Sequence, residues 1–570
     1  MILRSLTIAV ILAAVLLSPK ALLAQPQPQP EPPPPPVVPP RVGVTGTAPA
    51  AITIQDAIQM ALEHNTDVAI ARLAREAAEQ DIRAAEGVYD VRLLPTFSYQ
   101  RTVSPSTSEL SGGAAGRLQE RRLFGGVGVD ALSPWGGGQL TVDFSGTRLE
   151  SSNQFLRLNP QFPSAFGVSF TQPLLRGFRI NPARRQILLT RRAADLTAAQ
   201  VSTVLMEQLA LVEQAYWDVV FATRFLEVQV TALGQAQGQV ASNERQAQQG
   251  TLAPIDVVEA ETQAATFRQS VATAQQALAQ AENRLKRLVL ANRNAALWSQ
   301  ALVPTEPSDR DLPSITVEEA LKLALAQRPE LRESQVALEQ NAIEQRFLAD
   351  EARPRVDLVG TYTLSGLAGT ALSGSGSQLR SSIDPAVLAR LNALSALAGF
   401  DPVTLTPGSP ATLPGFLSGG LGESMSSIWA RRFPTALAQV QVDLPIRNRT
   451  ARANVARGLI ARRELERRRD QTEQTVEADV RNALQAVESS RSRLDAASSA
   501  RRNAQEQYES ERRRFESGLS TVFLVLQRQT ALVTAQGQEV RARTELNQAV
   551  ALFDRATGGT LARYGVVLAD

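Results

Sequence analysis

The sequence predicts a mainly α-helical protein of long antiparallel coiled-coil hairpins, interrupted by two short strand-rich regions. Three observations carry that reading: a heptad-patterned segment too long for a globule, a second copy of the same pattern, and two-residue alternation between the helices. The heptad segment runs from Pro182 to Gln249, with no further proline and no glycine before Gly234. Ala198, Leu205, Val212, Val219, Leu226 and Leu233 fall in it at intervals of seven. A strict heptad on a helix of about 3.6 residues per turn drifts around the axis, so such a helix supercoils against partners. At ~1.5 Å rise per residue it forms a rod roughly 100 Å long.

The duplication shows at both ends of each copy. Ile52-Thr53-Ile54-Gln55-Asp56-Ala57-Ile58 is matched by Ile315-Thr316-Val317-Glu318-Glu319-Ala320-Leu321. In each, a threonine followed three residues later by a carboxylate marks a helix start. At a constant offset of 268, Val212, Val219 and Leu226 fall on Val480, Val487 and Leu494. The same offset carries Val257, Leu278 and Leu285 onto Val525, Leu546 and Phe553. Shared heptad positions at one offset mark an internal repeat.

In chain order, residues 1–24 read as a secretory signal: Arg4 is the positive flank, Leu6 to Leu17 the apolar core, and Ala24 a small residue at the cut. The apolar run is shorter than the ~20 residues of a spanning helix; a retained membrane anchor is the alternative. Residues 25–50 form a linker, and the tract from Gln25 to Pro40 is a semi-rigid polyproline spacer, a tether or else a ligand for a proline-binding module. The first repeat, 51–312, comprises a helix over about 54–87, a β-hairpin region 92–175, the long helix 182–249 and a helix 254–291. The second, 313–570, repeats the order: helix 317–350, β-hairpin region 354–445, long helix 450–517, helix 521–556. Gly250 and Gly518 stand where each long helix stops, the usual place for a left-handed glycine, so the helices turn back there as hairpins.

In the first strand region Leu140, Val142 and Phe144 alternate with Thr141, Asp143 and Ser145, and Phe166, Val168 and Phe170 with Gly167, Ser169 and Thr171. In the second, Ala436, Ala438, Val440 and Val442 alternate with Gln439, Gln441 and Asp443. A soluble sandwich gives such alternation; in an exported protein a membrane β-barrel gives it equally. Trp135, Trp429 and Phe433 near strand ends are candidates for an interfacial girdle.

Composition excludes several functions. The chain has no cysteine, hence no disulfide and no thiolate metal site, and its single histidine, His64, reads as a solvated surface residue. Lys+Arg 59 against Asp+Glu 56 gives no reason to propose nucleic acid as a partner. No nucleotide loop, metal cluster or nucleophile triad stands out, so no enzyme activity, cofactor or metal is expected. The arginine-rich run Arg452 to Arg469, with Glu464 and Glu466, reads as a solvated helix face.

Two copies of helix, strand region, long helix, glycine turn and helix behind a signal peptide resemble the TolC-like outer-membrane efflux protein family. The resemblance covers about residues 52–560. It rests on the paired helix starts, on Gln172-Pro173-Leu174-Leu175-Arg176-Gly177 with its counterpart Leu444-Pro445-Ile446-Arg447-Asn448, and on the turns Gly250 to Asp256 and Gly518 to Leu524. It implies a homotrimer in outer-membrane lipid. Each protomer gives two strands per repeat to one shared short membrane β-barrel, and the helices continue as a periplasmic α-barrel. The implied role is a passive exit channel for efflux or type I secretion, working with a periplasmic adaptor (membrane-fusion) protein and an inner-membrane pump. An exported coiled-coil scaffold or adhesin is the alternative. The implied docking residues are Gly250, Thr251, Leu252, Gly518, Leu519 and Ser520.

Three departures qualify the resemblance. The first strand region contains four alternating stretches where two are needed, the extra pair reading as an outer hairpin. Roughly Leu364 to Arg432 is a Gly/Ser/Leu-rich insertion, read as surface loop with a lid as the alternative, in which Asp384-Pro385 can start a short helix. At the tip, relatives place acidic residues where this chain has Leu524 and Gln527. Asp256, with Glu259 one turn on, becomes the candidate for the pore constriction.

Overall fold

The computed structural model describes residues 41–45, 49–106, 116–153, 156–305, 314–372, 384–404 and 413–566. The signal segment and polyproline tract lie outside the described residues. Contacts gather the chain into two units, each taken by itself below: one of Ala222–Ala279 with Ser498–Glu539, and a larger one of the remaining described segments from Gly43 onward.

In the larger unit, strand β1 (Ala50–Ile52) pairs in parallel with β6 (Leu302–Pro304). Helix α1 (Ile54–His64) opens on a reciprocal capping box: the Thr53 hydroxyl accepts from the Asp56 N–H at 3.0 Å, and Asp56 accepts from the Thr53 N–H at 3.1 Å. The single helix expected over 54–87 is in fact two, α1 and α2 (Thr66–Glu86). Asn65 turns the chain out of helical geometry (ψ 128°), and its side-chain oxygen caps α2 by accepting from the N–H groups of Asp67 and Val68. Its amide nitrogen donates to the Leu288 carbonyl at 3.0 Å. The second repeat breaks likewise, into α5 (Val317–Gln327) and α6 (Pro329–Glu351). There proline at the first helical position keeps Arg328 extended. Arg328 bonds the Ala556 carbonyl and is held by Glu330 and Asp479.

The remaining helices match their expected bounds closely: α3 (Pro182–Gln248), α4 (Pro254–Val289), α9 (Arg449–Glu516) and α10 (Val522–Thr557). The heptad stripe is the core. Leu205, Val212 and Val219 of α3 are buried, as are Val480 and Val487 of α9 and Val550 and Phe553 of α10. His64 closes α1 at the surface.

The strands form one six-stranded antiparallel meander in the order β2 (Arg92–Pro105), β3 (Arg117–Leu132), β4 (Gln139–Ser151), β5 (Leu158–Pro173), β7 (Arg355–Ala371) and β8 (Phe433–Asp443). This corrects two expectations. The first repeat supplies four strands to the sheet rather than two, and the extra pair is not a separate outer hairpin: β3 pairs with β2 from Arg92↔Asp130 to Pro105↔Arg117 and with β4 from Glu120↔Ser151 to Leu132↔Gln139. Asp350, buried at the end of α6, accepts from the Gly177 N–H at 2.6 Å and so ties the sheet to the entry of α3.

The insertion 364–432 is likewise not all loop. Its first residues complete β7; residues 373–383 and 405–412 lie outside the described residues. Helix α7 (Pro385–Leu397) begins where Asp384 caps it, as expected, and buries none of its residues. Helix α8 (Leu421–Trp429) lies on the sheet through Ser424, Ser427 and Ile428, with the Ser424 and Ser164 hydroxyls 2.6 Å apart. Gly366 of β7 permits that approach, since a Cβ there would collide with the Ser424 carbonyl.

The capping box predicts an acid-sensitive helix start. The Thr53 hydroxyl, then the Thr53 N–H, hold the Asp56 carboxyl below its usual range. A lowered folded pKa gives stability that is present above the unfolded value and lost as pH falls through the folded one. Thr53→Ala should therefore cost about 1 kcal/mol at neutral pH. The gap between variant and parent should narrow in acid, where the carboxylate part of the box is lost and the hydroxyl cap on the Asp56 N–H remains, as measured by thermal unfolding at pH 7 and pH 3.

Candidate functional site

Two surfaces carry features that a packed core does not require: the turns in the smaller unit and the faces and edges of the sheet. In the smaller unit α3 stops at Gly250, whose φ is +74°. The Thr251 N–H reaches back to the Gln246 carbonyl and the Gly250 N–H to Ala247, each at 3.0 Å. The second turn repeats this geometry: Gly518 has φ +74°, with Leu519 N–H bonded to Arg514 and Gly518 N–H to Phe515. This paired bonding satisfies the orphan carbonyls at the end of a helix, and the left-handed residue it needs carries no strain when it is glycine. Fully buried Asn243 of α3 donates to the Asp256 carbonyl at 3.2 Å, closing the first hairpin. In the second, the Ser520 hydroxyl bonds Glu511 across the turn. Ala232, Leu233, Ala236, Ala264, Phe267, Val271 and Val533 form the core of this unit.

Thr251, Gly250, Gly518 and Leu519 are exposed; Leu252 and Ser520 are half-buried. Asp256 is half-buried in the first turn of α4, while Leu524 and Gln527 are exposed on α10. Leu524 and Gln527, three residues apart on α10, share a helix face. Gln527 also shares a groove between α4 and α10 with Val258, Glu259 and Thr262 opposite and Phe523 and Thr530 beside it. Gln263 of α4 bonds Thr530 of α10 at 3.1 Å along that groove. Phe523, 59% exposed, was not among the residues read from the sequence; its signal is a bulky apolar residue off the heptad stripe of Val522 and Val525. The arginine-rich start of α9 is an ion-paired surface, with Arg462–Glu466, Arg468–Glu464 and Arg469–Glu473 within 2.6–2.9 Å.

The sheet presents two unlike faces. Residues directly across a ladder share a face, so the row Leu93, Val129, Val142, Val168, Tyr362, Ala436 and the row Pro95, Val127, Phe144, Phe166, Leu364, Pro434 lie together. The opposite face carries Leu94, Gly128, Asp143, Gly167, Thr363 and Thr435, then Arg92, Asp130, Thr141, Ser169, Thr361 and Leu437. Much of the apolar face is uncovered: Phe97 is 81% exposed and Tyr99 66%. Helix α8 covers one end of that face, over Gly146, Ser164 and Gly366. Trp135 is exposed in the β3–β4 turn and Trp429 at the end of α8. Phe433 lies on the polar face, where its ring meets Phe416, so it does not belong with the apolar band. No helix among the described residues is long and apolar enough to cross a membrane, and they hold no cluster suited to a metal ion.

A two-faced antiparallel sheet continuous with long, glycine-reversed helices defines the class of outer-membrane channel-like proteins. The family model for outer membrane efflux proteins matches residues 138–289 and 417–559, just over half of the chain, and the chain belongs to that family. It is an outer-membrane protein, as the TolC-like resemblance implies. No curated protein matches it. Among solved structures, it is similar to CusC (16% identity, TM-score 0.59, 89% of this chain and 92% of that one). It is similar also to the outer-membrane channel OprN (14%, 0.57, 89% and 90%) and to the CmeC outer membrane channel of Campylobacter jejuni (15%, 0.58, 89% and 86%). At such identities the likeness is one of fold.

Asn243→Ala removes the bond that closes the first hairpin. The cost should be about 0.5–1.5 kcal/mol, read as faster hydrogen exchange across 239–260 with the second hairpin unchanged.

Proposed function

We propose that this chain forms, as a homotrimer, the passive exit duct of a tripartite efflux pump or a type I secretion system. It would conduct small molecules or polypeptide from an inner-membrane pump to the exterior. The carrying observation is the sheet: one face is apolar and largely exposed, the other is mostly small or polar with Asp130 and Asp143 among its residues, and both edges are unpaired among the described residues. In lipid such edges cost several kcal/mol for each unpaired backbone group, so copies must combine until the sheet closes. The channels CusC, OprN and CmeC share its fold. In this reading the helices stand in the periplasm. The turn residues Gly250, Thr251, Leu252, Gly518, Leu519 and Ser520 meet the periplasmic adaptor, and Asp256, Leu524 and Gln527 form the constriction. Asp256 repeated three times makes a ring of like charge that binds cations in a narrow aperture.

Two experiments test this. The purified chain should run as a trimer in mild detergent and conduct in planar bilayers, with block by multivalent cations that Asp256→Asn weakens at unchanged trimer yield. A monomer, or a non-conducting trimer, would sink the duct; unaltered block would move Asp256 off the lumen. A β-branched residue at Gly518 costs roughly 1–2 kcal/mol in the left-handed conformation. Gly518→Val should thus leave trimer abundance in the outer membrane unchanged while abolishing export and adaptor crosslinks in the same cells. Normal export with normal trimer levels would remove this turn from the docking surface.

A further inference from the structure

We infer that all six strands of each chain enter the barrel wall, so that three chains close an 18-stranded barrel in which β2 of one copy pairs with β8 of the next. The inference rests on the trimeric duct proposed above and corrects the size implied by two strands per repeat. The ladder from β2 to β8 is unbroken at every step, so β2 and β3 cannot leave the wall without forfeiting a full row of backbone bonds. The edges β2 and β8 run in opposite directions, as an antiparallel closure needs. Every residue of β8 is exposed, and nearly all of β2.

Barrel geometry fixes the register of that closure. Strand tilt and stagger are linked. At a tilt of about 35–45°, with ~3.3 Å rise and ~4.8 Å between strands, the register climbs by roughly one to one and a half residues per strand. Over six strands the climb is about six to eight residues. The row that starts at Arg92 crosses Asp130, Thr141, Ser169 and Thr361 to Leu437. Residues before Arg92 are not in the strand, so the next copy meets Leu437 further along β2, at Ser98 to Gln100. An even shift keeps both on the polar face. On the apolar face a shift of about six residues lays the exposed Tyr99 ring over Ala436 of the neighbour, a small residue that leaves room for it. Barrel width grows roughly linearly with strand number, so the lumen is about half as wide again as that of twelve strands.

The competing arrangement uses only β4, β5, β7 and β8 and leaves β2–β3 outside a twelve-stranded wall; the family match begins at residue 138, just before β4. In that case Leu437 would face Ser145 to Thr147 of the next copy. The chain has no cysteine, so introduced pairs report without background. Within one chain Ser98 and Leu437 lie on opposite edges, about 24 Å apart at ~4.8 Å per strand, far beyond the reach of a disulfide. The pairs Ser98→Cys with Leu437→Cys and Gln100→Cys with Leu437→Cys would be oxidised in isolated outer membranes, beside Ser145→Cys or Thr147→Cys with Leu437→Cys. At least one of the first two should give covalent dimers and trimers on a denaturing gel, and each single cysteine only monomers. Crosslinking confined to the second set would overturn the 18-stranded wall and leave the trimeric duct standing. Intact trimers with no crosslink in either set would overturn the edge pairing. A monomer in mild detergent would overturn the duct itself.

Discussion

Backbone pairing at the two ends of one sheet is the constraint on which the rest of the structure depends. Each amide in a membrane must find a partner, and side chains cannot substitute for a missing strand. The chain meets this requirement internally from β2 through β8 and leaves it open at both edges. Of the 68 residues of α9, only Gly458, Val476, Val480, Val487 and Ser490 are buried within the chain. The covered residues include the heptad positions Val480 and Val487, and the exposed start of the helix carries ion-paired arginines and glutamates.

The repeat, the long helices and their reversals were legible in the sequence because each leaves a periodic or positional mark. Heptads survive any tertiary context that keeps the helix, and glycine in a left-handed turn has few substitutes. The breaks at Asn65 and Arg328 were not legible. Both lie inside amphipathic patterns that read straight through them, and each is also held by a bond to the end of another helix, far away in sequence. Pro329 was the one local clue, and it served in the second repeat only. Alternation found all four strands of the first repeat but not their order, since a period of two says which side chains share a face and nothing about which strands are neighbours.

The turns and exposed surfaces divide in the same way. Gly250 and Gly518 were found from position alone and hold φ +74°. Phe523 leaves no mark in the sequence because it is neither charged nor on the stripe, and a groove between α4 and α10 is a property of two helices at once. Helix α8 escaped for a related reason. Its buried face is two serines and an isoleucine, a polar signature that makes sense only against the glycine and serine of the strands beneath it.

The two helix breaks have one further consequence. Asn65 and Arg328 hold corresponding carbonyls, Leu288 and Ala556, so duplication preserved the clamp while its chemistry diverged. The first is a neutral amide, 4% exposed, indifferent to salt and acid alike. The second is a guanidinium held between Glu330 and Asp479, the latter 46% exposed, and so open to screening by salt. One repeat is pinned and the other latched. A change of ionic strength would loosen the clamp of the second repeat and leave that of the first untouched, so two repeats of one pattern differ in how firmly their helix breaks are held.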